Sequence, residues 1–209
     1  PSRAGDRRES LVSLVEREGP DRLVLLGDLG DAIGNPGREE REEIADLFEA
    51  LPPGLAVTLA KGNHDGDVAE TLDEVDQPVE VTPGHGVRLG DVGFAHGHTW
   101  PSPDVLGADV VCVGHEHPVV KLEDEVGGRR VERVWLRGRL VPEPFETFHD
   151  ADLGIDGELV VCPGFNDLSG GTWVNVQGQE FLSPFLPKGL ADGQAYLLDG
   201  TRLGEYRRV

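Results

Sequence analysis

Apolar and polar positions along this chain alternate between a period near 3.6 and a period of 2, the pattern of an α/β domain. Residues 6–18 place Leu11, Leu14 and Val15 on one helical face before Gly19-Pro20 ends the helix. Leu23 to Leu26 then forms a short apolar run stopped by Gly27-Asp28, which predicts a buried strand. An acidic helix over 38–50 turns Ile44, Leu47 and Phe48 inward. After Pro52-Pro53-Gly54 a second strand, 55–60, runs into Lys61-Gly62-Asn63-His64-Asp65. From about residue 78 the pattern is mostly β, with short apolar runs at 87–89, 92–95, 109–113, 118–122, 131–136, 158–162, 172–176 and 195–198. Gly127-Gly128 predicts a hairpin between the runs that flank it.

With 209 residues, 38% of them hydrophobic and 28% charged, the chain can bury a sizeable core, and one soluble globular domain over 1–209 is expected. No apolar run approaches the ~18 residues of a membrane span, and the first residues lack the apolar stretch of a signal peptide. Cys112 and Cys162 lie in separate apolar runs. They are expected to be buried packing thiols in a reduced cytoplasm. The chain starts at Pro1 and contains no methionine, so either an initiator was trimmed or the sequence begins inside a longer one.

Charge changes the picture most. A formal net charge of −20, with sixteen arginines and only three lysines, gives a self-repelling surface that molar salt would screen. This predicts a halophilic cytosol, with an ordinary acidic protein as the alternative. Either disfavours nonspecific binding to polyanions.

Candidate chemistry gathers where strands end, because loops leaving the carboxyl ends of neighbouring strands converge there. Four such ends carry metal-ligand residues: Gly27-Asp28, Gly62-Asn63-His64-Asp65, His96-Gly97-His98 and Gly114-His115-Glu116-His117. Each is weak alone; in this order, each after an apolar run, they form a specific pattern. His98 is equally compatible with substrate contact and with a plain turn. His85 and His149 are expected at the surface, and Asp31 and Asp67 as solvating charges. The one basic stretch, 129–139, holds five arginines. A solvated hairpin is the favoured reading over a phosphate-binding rim.

These blocks resemble the calcineurin-like metallophosphoesterase family, whose pattern runs D-x-H, G-D, G-N-H-D, H, G-H-x-H; four of the five blocks are here. The chain looks closest to small phosphoesterases related to bacterial and archaeal proteins associated with DNA ligases. That closer likeness rests on GHEHPVV, CPGFNDLSGGTWVN and the later LSP and YLLDGTRLG. The resemblance implies an αββα sandwich of two mixed sheets flanked by helices. It also implies two divalent transition ions, manganese first with iron, zinc or nickel as alternatives. Asp28 would bridge the ions, Asn63, His96 and His115 would complete one of them, and His117 would bind the other. His64 would face the phosphate and stabilise charge or protonate the leaving oxygen, and Asp65 would orient His64.

The D-x-H block is missing, and a domain lacking its N-terminal strand is the expected explanation. The implied activity is metal-dependent hydrolysis of phosphoesters, whether a nucleic-acid or nucleotide diester linked to DNA repair or a small monoester. No membrane is involved and protein partners stay open. The rivals are a non-catalytic scaffold that keeps the fold and a mononuclear structural metal site.

Overall fold

A computed structural model of the protein describes residues 3–30, 34, 36–123 and 127–209. Asp31 and the centre of the predicted hairpin, 124–126, lie outside the described residues. The chain divides into two compact units, Pro1–Pro83 and Gly84–Val209.

In the first unit, α1 (Ala4–Glu18), β1 (Arg22–Leu25), α2 (Arg38–Ala50), β2 (Ala56–Ala60), α3 (Val68–Leu72) and β3 (Val79–Thr82) follow one another. The strands form a parallel sheet in the order β1-β2-β3, with Leu25 opposite Leu59 and Leu59 opposite Val81. Gly19 takes the left-handed conformation that lets its N–H reach the Val15 carbonyl at 2.8 Å and close α1. Ile44 and Phe48 of α2 pack with Val15, Val57 and Leu59 in one core. The inward face of α1 differs from the expected one: Leu11, Val12 and Val15 pack on the core, while Leu14 is exposed. Val12 sits on the same turn as Val15, and that pairing rolls the helix so that Leu14 faces outward.

The second unit comprises β4 (Val87–Leu89), β5 (Val92–Ala95), α4 (Pro103–Leu106), β6 (Val110–Val113), β7 (Val119–Glu123), β8 (Arg129–Leu140), α5 (Pro142–His149), β9 (Glu158–Val161), β10 (Leu190–Leu197), β11 (Arg202–Glu205) and a closing 3-10 turn. Its sheet runs β11-β10-β8-β9-β6-β5-β4, with β7 paired to the first half of β8. β5, β6 and β9 are parallel, whereas β8 is antiparallel to β7, β9 and β10. The predicted hairpin is the β7–β8 pair, with Glu123 opposite Arg129. Inward residues of this sheet, Val111, Val113, Leu136 and Leu159, share a core with Leu106 of α4 and Phe145 of α5.

The run 172–176 is no strand. Only Trp173 bridges to Val119, and beyond it the side chain of Asn175 takes the place of a ladder. Its Oδ1 accepts the Lys121 N–H at 2.9 Å and its Nδ2 donates to the Lys121 carbonyl at 2.8 Å. β8 and β10 extend beyond the runs that predicted them, to 129–140 and 190–197. Among the described residues, no helix is long and apolar enough to cross a membrane.

Candidate metal centre

In the first unit β1 and β2 are parallel and in register, so the loops after their carboxyl ends leave side by side. Gly27 and Asp28 both have positive φ, +79° and +50°. For the aspartate this is a sparsely populated conformation that its surroundings must enforce. Asp65 does so: its buried carboxylate accepts the N–H groups of Asp28, Leu29 and Gly62, each at 2.8 Å. Asp28 Oδ1 in turn accepts the His64 N–H at 3.0 Å. Gly62 is required here, because a Cβ at that position would run into the Asp28 carboxylate and lie 2.6 Å from the Asp28 nitrogen. Asn63 is exposed and His64 half-buried on the same loop. Both Asp65 oxygens accept backbone amides, which orients the loop that carries His64 as a whole.

In the second unit β5 and β6 bring His96 and His115 together. Ala95 stands opposite Val113, and the His96 carbonyl accepts the N–H groups of both Gly114 and His115 at 2.8 Å. The buried His96 Nε2 and the His115 Nδ1 are 2.9 Å apart. The His98 ring, left open by the sequence, joins them at centroid distances of 5.4 Å from His96 and 6.2 Å from His115.

His117, at φ +44°, stands apart from this trio, with Nδ1 3.2 Å from the Gly170 carbonyl. A carbonyl on one ring nitrogen is the usual way of presenting the other to a metal. Two glycines make room for it. A Cβ on Gly164 would lie 3.1 Å from His117 Cγ, and one on Gly171 would collide with the His117 carbonyl oxygen.

Between the two histidines lies a residue that sequence reasoning passed over. Glu116 is fully buried; its Oε1 accepts the Ser183 N–H at 2.6 Å, and its Oε2 accepts the Thr172 hydroxyl at 2.6 Å and the Leu182 N–H at 3.1 Å. An acid inside a histidine-rich loop of an acidic chain carries no periodic signal of burial.

Of the other histidines, His85 is exposed as expected. His149 is not a free surface residue: it is half-buried, with Nε2 2.9 Å from the Pro101 carbonyl. The basic stretch is largely a solvated, ion-paired strand face, with Arg129 on Glu123, Arg130 on Glu132, Arg137 on Glu158 and Arg139 on Asp192. Arg133 departs from this pattern and donates to the carbonyls of Gly164 and Phe165 at 2.9 and 3.3 Å. Cys112 and Cys162, on adjacent parallel strand ends, are half-buried rather than buried. A hydrogen bond between their thiols holds Cys112 below the ordinary thiol range and, with burial, pushes Cys162 well above it.

The donor set tests for a metal. Two imidazoles whose nitrogens approach within 2.9 Å are aimed at common ground, and borderline nitrogen donors suit manganese, iron, zinc or nickel better than calcium. The histidine half of the proposed ligand set therefore fits a transition ion.

No protein-family model matches the chain, and no curated protein matches it in sequence. Among solved structures, the crystal structure of Pseudomonas putida nuclease MPE is similar to it, with a TM-score of 0.60 at 20% identity over 96% of this chain and 78% of that one. The likeness shows a shared fold. It is an α/β fold, the class that the hydrophobic pattern predicts, with the two sheets and flanking helices that the resemblance implies.

Proposed function

We propose that the protein is a metal-dependent phosphoesterase acting as a single domain over 1–209. The observation that carries this reading is the His96–His115 imidazole pair, held at adjacent parallel strand ends. In this reading Asp28, Asn63, His96 and His115 would hold one divalent ion, manganese first, and Asp28 and His117 would hold a second. Bound ions of this kind supply Lewis-acid activation of a phosphoryl oxygen and of the attacking water. Asp65 holds the Asp28 loop in its strained conformation through three amide hydrogen bonds. His64, its main chain fixed on Asp28 Oδ1, presents an imidazole that would donate a proton to the leaving oxygen. The proposed substrates are nucleic-acid or nucleotide phosphodiesters of the kind met in DNA repair, in a halophilic cytoplasm. The fold shared with a protein described as a nuclease supports that choice over a small monoester.

The test uses the full chain loaded with Mn²⁺ and a phosphodiester reporter. Asp28→Ala is expected to lose both metal and turnover. His64→Ala is expected to keep its metal while losing roughly 10²- to 10⁴-fold in turnover. Metal uptake without hydrolysis of any phosphoester would favour the non-catalytic scaffold. No uptake of Mn²⁺, Zn²⁺ or Ni²⁺ would overturn the metal reading itself.

A further inference from the structure

The geometry points to Glu116 as a positioning residue for the cation site: its buried carboxyl group fixes the turn that carries His115 and His117. The inference rests on the phosphoesterase reading above and adds to it a residue outside the ligand set.

The first ground is the chemistry of its partners. Each oxygen already accepts a backbone N–H, Oε1 from Ser183 and Oε2 from Leu182. Oε2 also accepts the Thr172 hydroxyl, so three donors converge on this one side chain. The second ground is the missing counter-charge. Among the described residues, no arginine or lysine forms an ion pair with Glu116. Acidic side chains are almost never fully buried unless they are paired or lie beside a cation. The residues immediately before and after it are the two candidate ligand histidines.

The third ground is mechanical. Main chain and side chain together tie the turn to two distant segments: the Glu116 carbonyl accepts the Thr172 N–H at 2.9 Å, while the carboxylate holds Thr172, Leu182 and Ser183. The same turn is closed by His117 N–H on the Gly114 carbonyl at 3.3 Å. His115 and His117 therefore stand on a turn locked from behind by one side chain. An acid serving only to join loops would do so without regard to cations, and that difference can be measured.

The experiment titrates the full-length protein with Mn²⁺ alone, by calorimetry or competition with a chelator, in wild type, Glu116→Gln, Glu116→Asp and the remote core control Leu159→Ala. Wild type is expected to bind. Glu116→Gln, which keeps the shape and loses the charge, should bind 10- to 100-fold more weakly, the usual effect of losing a group behind a metal ligand. Leu159→Ala, though less stable to heat, should stay within threefold of wild type. The visible spectrum of the Co²⁺-loaded protein should shift in Glu116→Gln and not in the control. If Glu116→Gln does not fold, Glu116→Asp decides the matter: it keeps the charge on a shorter arm, and its affinity should fall at least threefold. Wild-type affinity in Glu116→Gln, or in Glu116→Asp where that variant decides, overturns the role of Glu116 alone. Absence of Mn²⁺ binding in wild type overturns the phosphoesterase reading and this inference together.

Discussion

The Asp65 carboxylate accepts the main-chain N–H of Asp28 at 2.8 Å, across 37 residues of chain, and so couples the ends of two parallel strands. The same oxygen accepts the Gly62 N–H and the other accepts that of Leu29. Asp65→Asn would turn one acceptor into a donor facing an N–H. The expected cost is about 1–3 kcal/mol, the penalty for a buried polar group left unsatisfied. Thermal denaturation checks it, and an unchanged midpoint would show that the clamp is dispensable.

Gly62→Ala should act through Asp28. The added methyl would run into the Asp28 carboxylate and backbone, neither of which is the free end of a flexible chain. Mn²⁺ affinity is expected to fall at least tenfold with the fold intact by circular dichroism. Binding at the wild-type level would mean that Asp28 is not a ligand.

Thiol chemistry offers a pH-dependent readout. Because the hydrogen bond from Cys162 favours the Cys112 thiolate, alkylation of Cys112 should reach half its maximal rate below the ordinary thiol range of about 8.5. Cys162 should react only at higher pH. Cys162→Ala should move the Cys112 profile up toward that of a free cysteine. Mass spectrometry of iodoacetamide-treated protein at several pH values would show equal labelling if the thiols were independent.

Arg133→Ala should loosen the segment that it pins at Gly164 and Phe165. Phe165 and Leu168 are exposed on that segment, and a protease specific for large apolar residues should cut there several times faster in the variant. Cleavage at the wild-type rate would show that the packing of Gly164 against His117 is sufficient by itself.

Salt should stabilise the protein. At a net charge of −20 repulsion between carboxylates opposes the compact state, and it fades as the Debye length falls from about 10 Å at 0.1 M to about 3 Å at 1 M. The melting temperature should therefore rise by several degrees between 0.1 and 1 M KCl. A fall over that range would show that screened ion pairs such as Arg8–Asp46 outweigh the repulsion.

The strand ends were legible because each couples an apolar run to a Gly-polar break, and Gly27-Asp28, Gly62 to Asp65, His96 and Gly114 to His117 all follow strands. Helix α2 matches its predicted limits because a two-sided acidic and apolar pattern leaves little choice of face. What stayed hidden depends on tertiary partners. β3 (VEVT) and β11 (RLGE) carry only two and one apolar side chains among charged and small residues, and α3, α4 and α5 span at most eight residues. The replacement of a strand at 172–176 by the Asn175 amide has no local sign. Glu116 and Asp65 look like any other acid among 39, and only their donors reveal what they do.

The double acceptance by the His96 carbonyl bears on how far such a chain can drift. Since both imidazoles are spaced by main-chain bonds between Val92–Ala95 and Val110–Val113, the identity of the strand residues matters less than their number. Lengthening the stretch between Trp100 and Ser102 would leave that spacing intact, whereas deleting one residue from either strand would exchange its inward and outward side chains and part the two rings. Two four-residue lengths of backbone act as the ruler for this pair, and substitution can proceed widely around them while the ruler keeps its gauge.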